Sequence, residues 1–454
     1  MTAEPSTKQS VKPTTKQKQQ MFAEWLRGQP KIKATIKTQS LKRKIKEELE
    51  RYQTEDGIKE YALHHKWLEA RRIANEYSKE VLEEVYNRIW VPKGISDYRR
   101  LQPELIEIRD LTYEQVGFFG ERYNLPIPEH DHLSDHWNIL RALVSSQTHD
   151  GTFGKSIRFL VRDKVSQKYL GVIALSNDML AIKKRDDAIG ITNQQWAAGG
   201  KNKHSINASS LIPTQPFGRR YFGGKLLALL ALSKPVMDAW ERKYGDKLVS
   251  VTTTSLWRNI KGGVSQYDGM EAYWENLGDT AGSSPLKPSE PLYQVMRQWM
   301  RENYDYDYWF HFVAKDLKGM NLQRDNKNRS INFCMKQLGF GKDFYTSNHK
   351  RGIYFARLYK NSDEFYRGEI TEQDLIPKFD NSVENLTNVW RYGTTGDKTN
   401  KTSKDYRNAM TKGRIDKQLQ KGSFVRFEKP DWYLDDAKLT FEQMKKKRFG
   451  DVGR

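Results

Sequence analysis

"GRRYFGGKLLALLALSKPVMDAWERKYGDKLVSVTTTS" occupies Gly218–Ser255. A glycine pair opens a nearly all-apolar run, and a β-rich run follows it. Hydrophobic patterning reads as one long helix from Gly223 to Tyr244, then "DKLVSVTTTS" as a buried strand. A glycine turn leading into a helix is a ready anion site. The first backbone N–H groups of a helix lack intrahelical partners, and the macrodipole places partial positive charge there. Gly223 and Gly224 have no Cβ, so a phosphate can come close to the backbone. Arg219, Arg220 and Lys225 add charge. The turn has neither the P-loop pattern nor the three-glycine spacing of a Rossmann turn. Close packing of a helix on a sheet needs the same glycines, and the residues alone leave both readings open.

Strands are expected upstream. "ELIEIRDL" (104–111) alternates, and "TYEQVGFFGERY" after it reads as a helix with Thr112 as N-cap. "SIRFLVRD" (156–163) and "KYLGVIALS" (168–176) read as a hairpin joined by "KVSQ", and "HSINASSLIPTQPF" supplies another strand. Earlier, "LKRKIKEELERY" and a second stretch from Asp56 have helical spacing, which predicts a helical hairpin arm over 40–92 ended by Pro92 and Gly94. Residues 1–20 are rich in Lys, Gln, Thr and Ser without a period and read as a disordered basic tail. The division expected is therefore the tail, the arm, an α/β core over 104–285, a helical and β extension over 286–390, and a basic extension over 391–454.

Composition bounds the partners. The 454 residues carry 77 Lys and Arg against 57 Asp and Glu, a net charge of +20. That surplus favours a polyanion, DNA or RNA. The 12 Trp, 23 Tyr and 19 Phe imply a sizeable core and supply rings for base stacking. Cys334 is the only cysteine, so an intramolecular disulfide is excluded and a reducing, cytoplasmic setting is expected. The first residues have no apolar core of a signal peptide, and "LLALLAL" (226–232) is too short to span a bilayer, so no membrane partner is expected.

Other clusters carry chemistry. "PEHDHLSDHW" gathers His130, Asp131, His132, Asp135 and His136, yet without a helix to fix an i, i+4 pair no metal is expected there. "RDDAIG" pairs Arg185 with Asp186 and Asp187 and reads either as a structural ion pair or as part of a pocket. In "VTTTS" alternation sends two threonines to one face and one to the other, and Thr254 and Ser255 would face a crevice at the carboxyl end of a central strand. "ENYDYDYWFHF" (302–312) reads as core or as a stacking surface, and the basic text after Gly393 as a phosphate-contacting segment.

Arg220-x-x-Gly223-Gly224-Lys225 resembles the pyrophosphate loop of GNAT-type acyltransferases, of the form Arg/Gln-x-x-Gly-x-Gly/Ala, which binds acyl-coenzyme A. "EAYWENLG" (271–278) resembles the late helix of that fold, which ends in Tyr-x-x-Leu-Gly. Two departures stand out: Lys225 takes the last small-residue position, and Trp274 stands where the family often has its general-acid tyrosine, with Tyr267 and Tyr273 the nearest substitutes. A broader run, "GKSIRFLVRD", "KYLGVIALSNDML", "RDDAIGI", "FGGKLLALLALS", "ERKYGDKLVSVTTTS" and "YWENLGDTAG", resembles the DruA family of Druantia anti-phage systems over 105–282, with a weaker continuation to 369.

The resemblances imply an α/β fold with a GNAT-like central mixed sheet, to which the residues outside them add a helical N-terminal arm and a basic C-terminal extension. Acyl-coenzyme A would lie on Arg220, Gly223, Gly224 and Lys225. Asp186, Ser255, Tyr267 and Tyr273 would be catalytic, and Arg185, Thr254 and Trp274 would meet substrate. Asp186, Ser255 and Tyr267 are expected in one pocket beside the glycine turn. The implied activity is nucleic-acid binding with acyl transfer to DNA or to a DNA-bound substrate, in company with defence-system or phage proteins. The alternatives are a non-catalytic DNA-binding subunit and a structural phage protein.

Overall fold

Alternation and turn chemistry set the sheet of this protein. The structure, a computed structural model, describes residues 35–53, 57–92, 95–108, 131–144, 155–197, 199–215, 217–220, 222–259, 265–280, 284–304, 327–347, 349–392 and 438–449. In chain order its main elements are α1 (Thr38–Leu49), β1 (Pro103–Ile108), α2 (Asp131–Val144), β2 (Ser156–Asp163), β3 (Tyr169–Asn177), α3 (Lys183–Ile189), β4 (Ser205–Pro213), α4 (Gly223–Leu230), α5 (Lys234–Tyr244), β5 (Ser250–Ser255), β6 (Glu275–Asp279), β7 (Ser284–Pro285), α6 (Glu290–Tyr304), α7 (Lys327–Gln337), β8 (Thr346–Ser347) and β9 (Gly352–Arg357). The chain divides into two compact units. One combines Met1–Tyr61 with Ser283–Asn348, the other Ala62–Gly282 with His349–Arg454. The stretch read as one arm, 40–92, is thus shared between them.

In the first unit, Leu41, Ile45 and Leu49 of α1 are wholly buried against Met296, Trp299 and Met300 of α6 and Cys334 and Met335 of α7. Their four-residue spacing puts them on one helix face. Glu48 accepts from the Ser289 backbone N–H at 2.5 Å and from its hydroxyl at 2.7 Å, and Trp299 Nε1 donates to Thr38 Oγ1 at 3.1 Å. β7 and β8 form a short antiparallel pair.

The second unit holds a seven-stranded open mixed sheet in the order β1-β2-β3-β4-β5-β9-β6. β1 to β4 are antiparallel neighbours, β4 and β5 run parallel, and β9 pairs antiparallel with both β5 and β6. Period-2 alternation sends Ile173 and Leu175 into the core with α4, and Val172 and Ala174 into the core with Trp137 and Leu140 of α2. Helix α4 sits hard against the sheet: a Cβ on Gly171 would stand 2.7 Å from a Leu227 methyl and 2.5 Å from the Ile212 carbonyl oxygen.

Four expectations are corrected. The helix from Gly223 to Tyr244 is two helices, because Ser233 folds its hydroxyl onto the Leu230 carbonyl oxygen at 2.6 Å and Pro235 cannot continue the first. The segment 246–249 precedes the strand, which begins at Ser250. "PEHDHLSDHW" is helical from Asp131, since Leu133, Trp137 and Leu140 recur at helical spacing. "EAYWENLG" is not a helix: its first four residues turn, Trp274 is buried, and from Glu275 the chain pairs with β9 as β6. The helix read at 112–123 and most of the aromatic run 302–312 lie outside the described residues.

Candidate functional site

The site lies where β4 and β5 part. The two strands are in register only over Ser205↔Ser250, Ile206↔Val251 and Asn207↔Thr252, although β4 runs on to Pro213 and β5 to Ser255. Just beyond Asn207 the pairing of β4 with β3 slips, since Leu175 faces Ala208 but Ala174 faces Ser210. An extra residue of this kind bends its strand. Buried carbonyl groups need a donor. Two carbonyls of β4 find one in side chains: Thr253 Oγ1 donates to Ala208 at 2.9 Å, and Gln266 Nε2 to Leu211 at 3.4 Å. Gln266 Nε2 also reaches the Tyr267 hydroxyl at 3.1 Å, which lies 3.4 Å from Thr253 Oγ1.

The glycine turn stands beside this edge. Phe222 takes a left-handed conformation, φ 56°, and Gly223 opens α4. A Cβ on Gly223 would stand 2.4 Å from the Phe217 ring, and one on Gly224 2.6 Å from Gln266 Oε1. Phe217 is itself wedged edge-on between Trp90 and Trp390, whose indole Nε1 donates to the Phe222 carbonyl oxygen at 3.1 Å. Lys225 is buried, and its ammonium donates to the Asp268 backbone carbonyl oxygen. The Asp268 carboxylate accepts from the Tyr354 hydroxyl at 2.6 Å. Burial pushes the Tyr354 phenol up to about 12, and its bond to Asp268 pushes the same way. Arg258 lies 5.8 Å over the Tyr354 ring and 3.5 Å from its hydroxyl. This corner therefore holds a phenol that stays protonated at neutral pH, a carboxylate on it and a guanidinium beside the phenol, itself 3.5 Å from Asp279. Such a pair can hold a proton at Tyr354 Oη.

The other face carries a buried polar network. Arg185 Nη1 is 2.9 Å from Asp178 Oδ2, Arg185 Nη2 donates to Asp186 Oδ1 at 2.7 Å, and the guanidinium lies 3.8 Å over Trp196. Asp178 Oδ2 also accepts from Ser205 Oγ at 2.5 Å and Thr252 Oγ1 at 2.7 Å. Ser250 joins Ser205 to the Tyr366 hydroxyl, which donates to the His204 carbonyl oxygen at 3.0 Å. Burial drives the Tyr366 phenol far up. Ser205 and Ser250 begin β4 and β5, so this network sits at the opposite end of the strands from the glycine turn. Its polar groups satisfy one another, as a structural ion pair requires.

The placements divide the expected site. Gly223, Gly224, Lys225, Tyr267 and Trp274 come together. Trp274 is core, with its indole on the Ala228 carbonyl oxygen at 3.0 Å and its ring 5.0 Å from Tyr267. Ser255 ends β5 and by alternation shares the Thr253 face. Tyr273 packs 4.8 Å from Phe379. Arg185, Asp186 and Thr254 lie on the Thr252 face. The single pocket expected for Asp186, Ser255 and Tyr267 is thus corrected: Thr252 points to the Asp178 network and Thr253 to Tyr267, so the sheet separates Asp186 from the glycine turn. The Arg220 side chain and those of His130, Asp131 and His132 lie outside the described residues. His136 Nδ1 meets the Tyr169 hydroxyl at 2.6 Å, and among the described residues no three His, Cys, Asp or Glu converge as metal ligands. Among those residues, too, no helix is long and apolar enough to cross a membrane. Gln266, Asp268, Tyr354 and Asp178 were missed. The one local signal was the acid of "SND" directly after a strand read correctly.

Comparison with known proteins adds two matches. Residues 127–368 match the family model described as "Druantia protein DruA". A curated protein of Escherichia coli (strain UMEA 4076-1), "Druantia protein DruA", is 24% identical over 251 residues, covering 52% of this chain and 59% of that protein. The chain thus spans less than two thirds of that relative's length. No solved structure matches the chain.

Proposed function

Because the chain belongs to the Druantia protein DruA family, we propose that it is a nucleic-acid-binding component of an anti-phage defence system, and that its glycine-turn cleft is kept as scaffold rather than as an acyl-transfer site. The observation that carries this reading is the filled edge between β4 and β5. Gln266 caps the Leu211 carbonyl oxygen and stands against Gly224, and the Phe217 ring stands against Gly223. The residues present do not fit the pyrophosphate of coenzyme A. The space that lets a phosphate approach a glycine is taken by an aromatic ring, and Lys225 is committed to Asp268. The net charge of +20 supports a polyanionic partner, with defence-system or phage proteins as further partners. The test is duplex DNA binding across a salt series: each phosphate neutralised releases counterions, so affinity falls steeply as salt rises. An affinity indifferent to salt, or none at low salt, would refute the nucleic-acid reading.

One observation favours a second reading, acyl transfer. The sheet has a parallel pair that parts beside a glycine turn, in an order resembling the GNAT fold, with Tyr354 and Asp268 placed to handle a proton. In that reading Gln266 and Tyr267 would have to leave the edge of β4 when a ligand arrives.

A further inference from the structure

The outward face of α1 carries charge that the fold does not use. Lys37, Lys42, Arg43, Lys44 and Lys46 fall within ten residues. All but the half-buried Lys42 are exposed. Arg43 has a loose partner, Glu47 at 3.6 Å. Lys37, Lys42, Lys44 and Lys46 have no acidic partner among the described residues. On other helices some surface cations pair, Lys79 with Glu83, Arg88 with Glu84 and Lys234 with Asp238, and others such as Lys183 and Lys336 stand alone among the described residues, but singly or in twos and not as a run of five. No acid stands in the first turn of α1, while Lys46 stands in its last turn, where the macrodipole favours a cation.

We propose that this face binds the phosphate backbone of duplex DNA; this rests on the nucleic-acid reading above and names the surface for it. Charge complementarity selects the occupant. Leu41, Ile45 and Leu49 are wholly buried, so α1 has no apolar face left to enter a lipid surface. Thr38–Leu49 contains no aromatic residue, so base stacking on a single strand has no platform. A helix of 12 residues is about 18 Å long. B-DNA presents one negative charge per about 1.7 Å of axis, so about ten phosphates pass along that length. The helix is held rigidly by its buried face, by Glu48 on Ser289 and by Trp299 on Thr38, so its cations are presented on a fixed frame. The contact is to backbone and is sequence-independent. α1 lies outside residues 127–368, which match the family.

The test uses the full chain and a fluorescent duplex of about 30 base pairs, titrated between about 50 and 200 mM salt. The variant replaces Lys42→Gln, Arg43→Gln, Lys44→Gln and Lys46→Gln together, and a control carries Lys42→Arg, Lys44→Arg and Lys46→Arg. Each lost phosphate contact should flatten the plot of log K against log salt by about 0.9, so the glutamine variant should lose about 2 to 4 from the slope. It should bind at least about ten-fold more weakly at 150 mM salt, and the arginine control should bind like the parent. Thermal unfolding checks that each variant is folded. A folded glutamine variant with the parent's slope and affinity overturns the assignment of this face while leaving the nucleic-acid reading standing. A parent chain that binds no duplex at low salt overturns both. Equal affinity of the parent for polyglutamate would assign the face to an acidic polypeptide and overturn the proposal.

Discussion

Gln266 donates from Nε2 to the carbonyl oxygen of Leu211 at 3.4 Å, so a residue that follows β5 closes the edge of β4 that β5 leaves open. Its other amide atom lies against Gly224. One side chain thus fills two places that an extended ligand and its phosphate would need. A glycine pair kept for close packing explains the same residues that an anion site would explain.

Gly223→Val tests that packing. The added side chain would collide with Phe217, which Trp90 and Trp390 hold in place. Overpacking of this kind costs about 1–3 kcal/mol. Chemical denaturation should show a lower midpoint, and Gly224→Ala should cost less, because the end of Gln266 can swing aside. A Gly223→Val protein with the parent midpoint would mean the turn is open.

Asp178→Ala should destabilise the second unit severely. It leaves the buried Arg185 with Asp186 as its one carboxylate and strips acceptors from Ser205 and Thr252. Breaking a buried pair costs about 3–5 kcal/mol. Asp187 is exposed, and Asp187→Ala should stay within about 0.5 kcal/mol of the parent. Equal effects from the two variants would contradict the network.

Glu302 gives a pH dependence in the first unit. Burial alone would raise its carboxyl, but bonds from Thr35, Gln298 and the Ile36 N–H outweigh it and bring the group down to about 2. A carboxyl lowered on folding adds stability above its unfolded value of about 4.3, and loses it as pH falls from there through the folded value. The parent should therefore lose thermal midpoint between about pH 5 and pH 2 more steeply than Glu302→Gln does. Parallel curves would rule the contribution out.

Cys334 reports on the same unit. It is the chain's only cysteine, and burial pushes its thiol up to about 12. The thiolate is the nucleophile, so alkylation by iodoacetamide at about pH 8 should be negligible in the native protein and rapid in denaturant. Rapid native labelling would mean that the helices α1, α6 and α7 open readily.

Short-range patterns made the sheet legible. β2 and β3 were readable because alternation and the turn between them are local. Apolar periodicity runs through the break between α4 and α5 and hides it, although Ser233 and Pro235 mark it. The site was less legible, since its pairs span the chain. Thr252 is 74 residues from Asp178, and Tyr354 is 86 from Asp268. The sequence sets Arg185 beside Asp186, but its second carboxylate, Asp178, comes from the residue after β3. Alternation did assign Thr252 and Thr253 to opposite faces, which is what separates Asp186 from Tyr267.

Titration calorimetry with acetyl-coenzyme A on the full chain tests the central claim most directly. A cleft filled by Phe217 and Gln266 should give no saturable heat up to about 1 mM cofactor. Gln266→Ala should give none either, because Phe217 still stands against Gly223. Saturable one-to-one binding at micromolar concentration by the parent chain would contradict the account and give the cleft back to acyl transfer.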